Sequence, residues 1–220
     1  MFAAASYRLV QQVNGRGVYS FCMCPGGFIV PAATNAGEIV VNGMSPSKRN
    51  SEFANSGIVV EVKEEDLLKY SMHGPLKGLM YQKDVEKLAC SLTPSLQVAP
   101  AQRMVDFVNK KASLSLNKTS YQPGILSTNM HDILPKSIYH SLSEGFKMFG
   151  KKLNGYYTNQ ANVVGIESRT SSPVFIPRDK DTLQHLSIKN LFPCGEGAGY
   201  AGGIISAAID GERCANAILQ

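Results

Sequence analysis

Apolar residues in the first sixty positions come in short runs broken by glycine and proline. Val18 to Cys24 and Phe28 to Ala33 both have strand character, and Pro25-Gly26-Gly27 between them makes a hairpin. Glu38 to Asn42 and Ile58 to Lys63 are rich in Val and Ile and extend the expected sheet, with a turn at Asn35-Ala-Gly37. The pattern then lengthens to a helical period. Glu64-Glu65-Asp66 places acid at the start of a short helix. Val85, Leu88, Ala89 and Leu92 fall on one helix face. Pro100 suits a first helical turn ahead of Met104, Val105 and Val108. Ser113 to Gly124 is polar and irregular. Pro135 opens the clearest helix, with Ile138, Leu142, Phe146, Phe149 and Leu153 as its stripe and Asn154-Gly155 as its stop. Short strands are expected at Val163 to Glu167, Val174 to Ile176 and Leu191 to Cys194, with a polar loop from Asp179 to His185 and a final helix. No internal repeat is visible. Strands, helices, strands, helix is the order of an α+β or mixed α/β chain.

The last strand and helix enclose the densest motif. Gly195, Gly197, Gly199, Gly202 and Gly203 fall within nine residues, interleaved with Glu196, Ala198, Tyr200 and Ala201 and followed by Ile204. A strand, a glycine turn and a helix bring backbone N–H groups to a ligand. The first helical turn carries free donors and partial positive charge, so an anion, or a carbonyl that becomes anionic, belongs there. Gly197-x-Gly199-x-x-Gly202 has the spacing of a dinucleotide finger. Eighteen residues follow Gly202, too few for the rest of a βαβ unit. No acidic residue stands at the end of a second strand to hold a ribose. The alternative is a packing joint where a buried helix meets a sheet.

Composition narrows the field. The chain has 220 residues, is 44% hydrophobic and 18% charged, and has a net charge of +5. That length makes one large domain or two small ones. Lysine clusters at Lys110-Lys111 and Lys151-Lys152 lack interleaved aromatics, which argues against a nucleic-acid surface. No run reaches the roughly eighteen apolar residues of a membrane span, and the start, Met1-Phe-Ala-Ala, has no signal-peptide pattern. Five cysteines without framework spacing suit free thiols in a reducing cytoplasm. Strand-like sequence from about Tyr7 makes the start abrupt, as expected of a fragment.

Two further blocks hold candidate chemistry. Cys22 and Cys24 lie two apart on an expected strand, which would point both sulfurs to one face about 6.6 Å apart along the chain. They are either buried small hydrophobes or one wall of a site. Glu167 to Pro173 is dense in donors, and Arg169, Thr170, Ser171 and Ser172 could hold a carboxylate or phosphate. The bland alternative there is a capped turn with an Arg–Glu surface pair. The four histidines are scattered without metal spacing, and His131-Asp132 is more simply a loop histidine beside a turn. No G-x-S-x-G hydrolase motif is present. Neither a metal nor a disulfide is expected to hold the fold.

Three blocks together carry a resemblance. They are Tyr19 to Phe28 with Val41 to Ser45, then Glu167 to Val174, then Phe192 to Ile204. Over almost its full length the chain resembles the C-terminal part of the NAD(FAD)-utilising or FAD-dependent dehydrogenases, flavoproteins of the two-dinucleotide-binding type. The family's N-terminal Rossmann half, which grips the ADP portion of FAD, has no counterpart in these residues. The resemblance implies a substrate-type domain over residues 1–187, with flavin-proximal loops. It implies a C-terminal strand–turn–helix of a split FAD-binding domain over 188–220. Gly195 to Ile204 would be cofactor-binding. The N–H groups of Ala201 to Ile204 would face the pyrimidine edge of the flavin, with Glu196 near the ribityl chain. Cys22, Cys24, Pro25, Gly26, Gly27 and Arg169 to Ser172 would be substrate- or flavin-proximal. In the family the last block is commonly followed by a basic residue, where this chain has Phe175.

Two functions are consistent with these features. One is the substrate-side part of an FAD-dependent oxidoreductase, with NAD(P)H as a candidate electron donor, a small-molecule substrate and a missing FAD/ADP-binding half as partner. The other is a non-catalytic domain that binds an anion or a protein through the glycine turn.

Overall fold

The computed structural model describes residues 8–94 and 97–219. The expected start of a strand at Tyr7 lies outside the described residues. The chain is mixed α+β and divides into two compact units. One contains residues 1–66 and 83–168, the other 67–82 and 169–220.

The first unit holds the strands. β1 (Val10–Val13), β2 (Arg16–Pro25) and β5 (Ala54–Val60) form an antiparallel sheet in the order β1-β2-β5. β3 (Phe28–Pro31) and β4 (Val41–Met44) make a separate antiparallel pair. The expected strand at Glu38 to Asn42 begins later, because Ile39 and Val40 are buried in an irregular stretch before the pairing starts. The one expected at Ile58 to Lys63 is shifted towards the N-terminus: β5 ends where its pairing with β2 stops, at Val60. Burial, rather than pairing, explains the apolar residues in the first case.

A third sheet has the order β7-β6-β8, with β6 (Ala99–Arg103) central, β7 (Ile125–Ser127) parallel to it and β8 (Asn162–Val164) antiparallel. Pro100 therefore stands in a strand and not in a helical turn. Its carbonyl accepts from the Gly165 N–H at 3.0 Å. The reciprocal bond needs an N–H that proline lacks, and β8 stops at Val164, three residues short of the expected end at Glu167. The helix expected after Pro100 begins at α2 (Met104–Val108).

The long amphipathic helix forms as its stripe predicts, as α3 (Lys136–Lys152). Leu142, Phe146 and Phe149 are buried with Val18, Phe107 and Tyr139. Gly145 lets α3 approach β2 closely, since an added Cβ would lie 2.8 Å from Val18 Cγ1. At the head of β2, Arg16 is buried and donates to Asp66 Oδ2 at 2.5 Å and to the Glu61 carbonyl at 2.6 Å.

Helix α1 (Lys77–Ser91) follows a 3-10 segment at Glu64–Leu76, where a regular short helix was expected. Gly74 (φ 53°) and Pro75 interrupt that segment. The second unit has one regular helix besides the start of α1: α4 (Ile204–Ile218). The strands expected at Val174 to Ile176 and Leu191 to Cys194 do not form. These segments join no sheet, and their only backbone-to-backbone bonds among the described residues link the Ile176 N–H to Ala198 and the Leu191 carbonyl to the His185 N–H. Among the described residues this unit offers them only one isolated bridge, Arg178 with His185. A strand needs a hydrogen-bonding neighbour, and apolar β-branched sequence alone does not supply one.

Candidate functional site

The glycine turn is built around a buried cation. The Arg178 guanidinium makes a two-point pair with Asp210 of α4, Nη2–Oδ1 at 2.6 Å and Nη1–Oδ2 at 3.0 Å. It also donates to the Pro193 carbonyl at 2.7 Å and lies 3.7 Å from the centre of the Tyr200 ring. Asp210 Oδ2 accepts the Gly195 N–H at 2.8 Å. One ion pair thus holds the entry of the turn, its Tyr200 side and the helix that follows it. The Arg178 hydrogen bond drives the Asp210 carboxyl below its ordinary range, overcoming the opposing effect of burial.

Within the turn, the Gly199 N–H donates to Glu196 and the Tyr200 N–H to Gly195. The Tyr200 hydroxyl donates to the Ile176 carbonyl at 3.1 Å, and the Ile176 N–H donates to Ala198 at 3.1 Å. Ser172 ties the donor-rich loop to the same turn: its hydroxyl lies 2.7 Å from the Val174 carbonyl and 3.1 Å from that of Gly197. Ser171, Ser172, Gly199, Tyr200, Ala201 and Gly202 line a shallow depression of about 320 Å³.

The glycines divide into two kinds. Gly195 and Gly199 have φ of +68° and +86°, and a Cβ at Gly199 would lie 3.0 Å from Phe175 Cδ2. These two are required by the turn itself. At Gly197 and Gly202 an added Cβ meets nothing within 4 Å, and at Gly203 only Ser206 Oγ, at 3.6 Å. Packing within the described residues does not account for these three. Gly203 caps α4 without any side-chain hydrogen bond to the free N–H groups. The apolar residues that follow point outwards, with Ile204 89% and Ile205 72% exposed.

Cys22, Cys24, Pro25, Gly26 and Gly27 belong to the first unit. The two cysteines do not share a face, contrary to the simple strand expectation. A bulge between Phe21 and Met23 inserts Cys22 at φ 45°, leaving it exposed while Cys24 is buried. An extra residue in one strand breaks the two-residue alternation. Gly26, at φ +59°, would carry a Cβ into the Arg49 carbonyl, and Gly27 is packed against Cys24 and Met44. Both glycines are accounted for by the turn, in which the Gly27 N–H donates to the Cys24 carbonyl at 3.1 Å. The expected hairpin does not form, since β2 pairs with β1 and β5 and β3 with β4.

Glu167 also lies in the first unit. Its carboxylate rests against Gly57 of β5, where a Cβ would overlap Oε2. Burial alone pushes its pKa up to about 7. It is not the exposed half of an Arg–Glu surface pair. The neighbouring Ser168 donates to the buried Glu86 at 2.5 Å. His131 Nε2 lies 3.6 Å from Asp132 Oδ1, while Nδ1 is buried without a partner. No group of three or more metal-ligating side chains occurs among the described residues, and no helix among them is long and apolar enough to cross a membrane.

Residues 1–170 match the family described as FAD-dependent protein, C-terminal domain-like. The chain belongs to this family. The match covers the β-rich unit and ends before the glycine turn. An uncharacterised protein of Clostridium beijerinckii is 42% identical over 221 residues, which is 99% of this chain. The chain spans 41% of that relative's length.

The residues that sequence pattern does not single out are Arg178 and Asp210, while Glu167 falls in a block that it marks, though not as a buried carboxyl. Asp210 left a trace, as a lone acid within Ser206-Ala-Ala-Ile-Asp210 of an otherwise apolar stretch. An acid in such a place is buried only when paired.

Proposed function

We propose that this chain is the substrate-side and flavin-facing part of an FAD-dependent oxidoreductase. One observation carries the proposal: the start of α4 is open. Gly197, Gly202 and Gly203 leave space that no described side chain needs, beside a helix terminus with no side-chain cap. Such a cradle fits the edge of a flat, electron-accepting ring. When bound, FAD supplies the two-electron chemistry.

The chain's own residues have separate tasks. The N–H groups of Ala201 to Ile204 would donate towards the ring edge and stabilise negative charge there. Arg178 and Asp210 hold the turn in shape. Glu196 would lie near the cofactor's ribityl chain, and Ser171 and Ser172 border the depression beside Gly199 to Gly202. The Arg169-Thr170 pair is a candidate substrate contact of the second unit, Cys22 and Cys24 are candidates of the first, and NAD(P)H is a candidate electron donor. The grip on the ADP portion belongs to an FAD/ADP-binding half outside these residues. The exposed Ile204, Ile205 and Ile209 offer that half an apolar face.

The test joins the chain to that half. The joined protein should purify yellow, and Gly203→Ala should lower its flavin content or shift the flavin potential. A joined protein that binds no flavin, or a variant with unchanged content and potential, would return the turn to the alternative role of binding an anion or a protein partner.

A further inference from the structure

All five cysteines are thiols in the structure, yet two stand in a special relation. Cys214 lies on the inner face of α4, one turn beyond Asp210, and is 3% exposed. Its Sγ lies 3.2 Å from Arg178 Nη1 and 4.0 Å from the Pro193 carbonyl oxygen. The carbonyl just before Cys194 is therefore fixed at the level of Cys214. The N–H just after Cys194 is fixed to Asp210 at 2.8 Å. Cys194 is thus tethered on both sides to the helix that carries Cys214. Their access differs: Cys194 is exposed and Cys214 buried.

We propose that Cys194 and Cys214 are a redox-active dithiol that closes to a disulfide by exchange with a low-molecular-weight disulfide such as oxidised glutathione. Exposed Cys194, as thiolate, attacks one sulfur of the oxidant. A mixed disulfide forms at Cys194, and one small thiolate leaves and takes up a proton. Cys214 then loses its proton to solvent and attacks the Cys194 sulfur, releasing the second small thiol. The two protein thiols lose two electrons and two protons, and the small disulfide gains them. The Arg178 guanidinium beside Cys214 Sγ favours the thiolate in the second step, against the burial that otherwise holds this thiol up. The backbone ties hold the partners close, which a disulfide needs given its narrow range of Cα separation, about 4.4–6.8 Å. Closure would bind the entry of the glycine turn covalently to α4. The proposal stands apart from the flavin assignment.

The folded 220-residue chain is exposed to excess oxidised glutathione, quenched with an alkylating agent and mapped by peptide mass spectrometry without reduction. The expected product is a Cys194–Cys214 cross-link. In Cys214→Ser, Cys194 should instead accumulate a stable glutathione adduct. In Cys194→Ser, Cys214 should stay unmodified while the protein is folded. A wild-type chain that keeps glutathione on Cys194 without cross-linking would overturn the proposal. So would a Cys194–Cys214 link no more abundant than links to Cys22, Cys24 or Cys90.

Discussion

Arg178 and Asp210 meet in a two-point ion pair, at 2.6 and 3.0 Å, with side-chain exposures of 6% and 9%. Both charges are removed from water, so each depends on the other. Arg178→Ala leaves the Asp210 carboxylate buried and loosens the turn at Gly195 and Pro193. The expected loss is roughly 3 kcal/mol, because breaking a buried pair strands a charge. A double variant, Arg178→Met with Asp210→Leu, should recover more than half of it. Urea unfolding of the three chains is the measurement, and equal losses in the single and double variants would contradict it.

The glycines should respond according to their backbone. Gly199→Ala forces a Cβ into a left-handed position 3.0 Å from Phe175 Cδ2 and should cost about 1–2 kcal/mol. Gly202→Ala meets no atom within 4 Å and has no positive φ, so the chain should gain roughly 0.4–1 kcal/mol from a less disordered unfolded state. At Gly203 the same gain is offset by the poorer helix cap that alanine makes, and the melting temperature should barely move. Thermal melts of the three variants check the order.

Glu167 gives stability an unusual pH dependence. Burial pushes its pKa up to about 7 from the ordinary 4.5, so the folded chain keeps a proton that the unfolded chain has released. Between those values stability falls as pH rises, by up to about 1.4 kcal/mol per pH unit and less where solvent reaches the carboxyl. Glu167→Gln should flatten that window and leave the variant the more stable chain above pH 7. Melting temperatures from pH 4.5 to 8 decide it, and parallel curves for both chains would contradict it.

Asp66 and Asp210 act in the opposite direction and at lower pH. Burial raises Asp66, but the Lys63 N–H, Arg16 and Ser137 outweigh it, and the carboxyl lies below its ordinary value. Arg178 lowers Asp210 likewise. Their contribution is complete above the ordinary carboxylate range and is lost as pH falls through their folded values. Acid unfolding of Ser137→Ala should therefore begin at a higher pH than in the parent chain, followed by circular dichroism.

Much of the fold was legible because periodicity reports burial. The stripe from Leu142 to Phe149 formed as the pattern indicated. Pro25-Gly26-Gly27 does turn the chain between two strands, but β2 and β3 enter different sheets and make no hairpin, because pairing is set by partners distant in sequence. Pro100 misled because a proline's permission to start a helix says nothing about a strand whose missing donor falls where the ladder ends. Val174 to Ile176 and Leu191 to Cys194 have strand composition but no strand beside them, and pairing is not a local property. The Cys22 bulge was hidden for the same reason, since register belongs to two strands at once. The glycine turn was visible residue by residue. The Arg178–Asp210 pair that shapes it spans 32 positions and had only an acid closing the apolar first turns of the last helix to announce it.

The central claim is that the open glycines at the head of α4 receive the flavin, and titration of the 220-residue chain with FAD tests it most directly. Flavin fluorescence should show binding that is weak, no tighter than about micromolar, because the grip on the ADP portion lies elsewhere. Gly202→Val places its Cβ in open space, so it should fold with a melting temperature no lower than the parent's and bind FAD about tenfold more weakly, or about 1.4 kcal/mol. Equal binding by the parent chain and the folded variant, or no binding by either, would contradict the account.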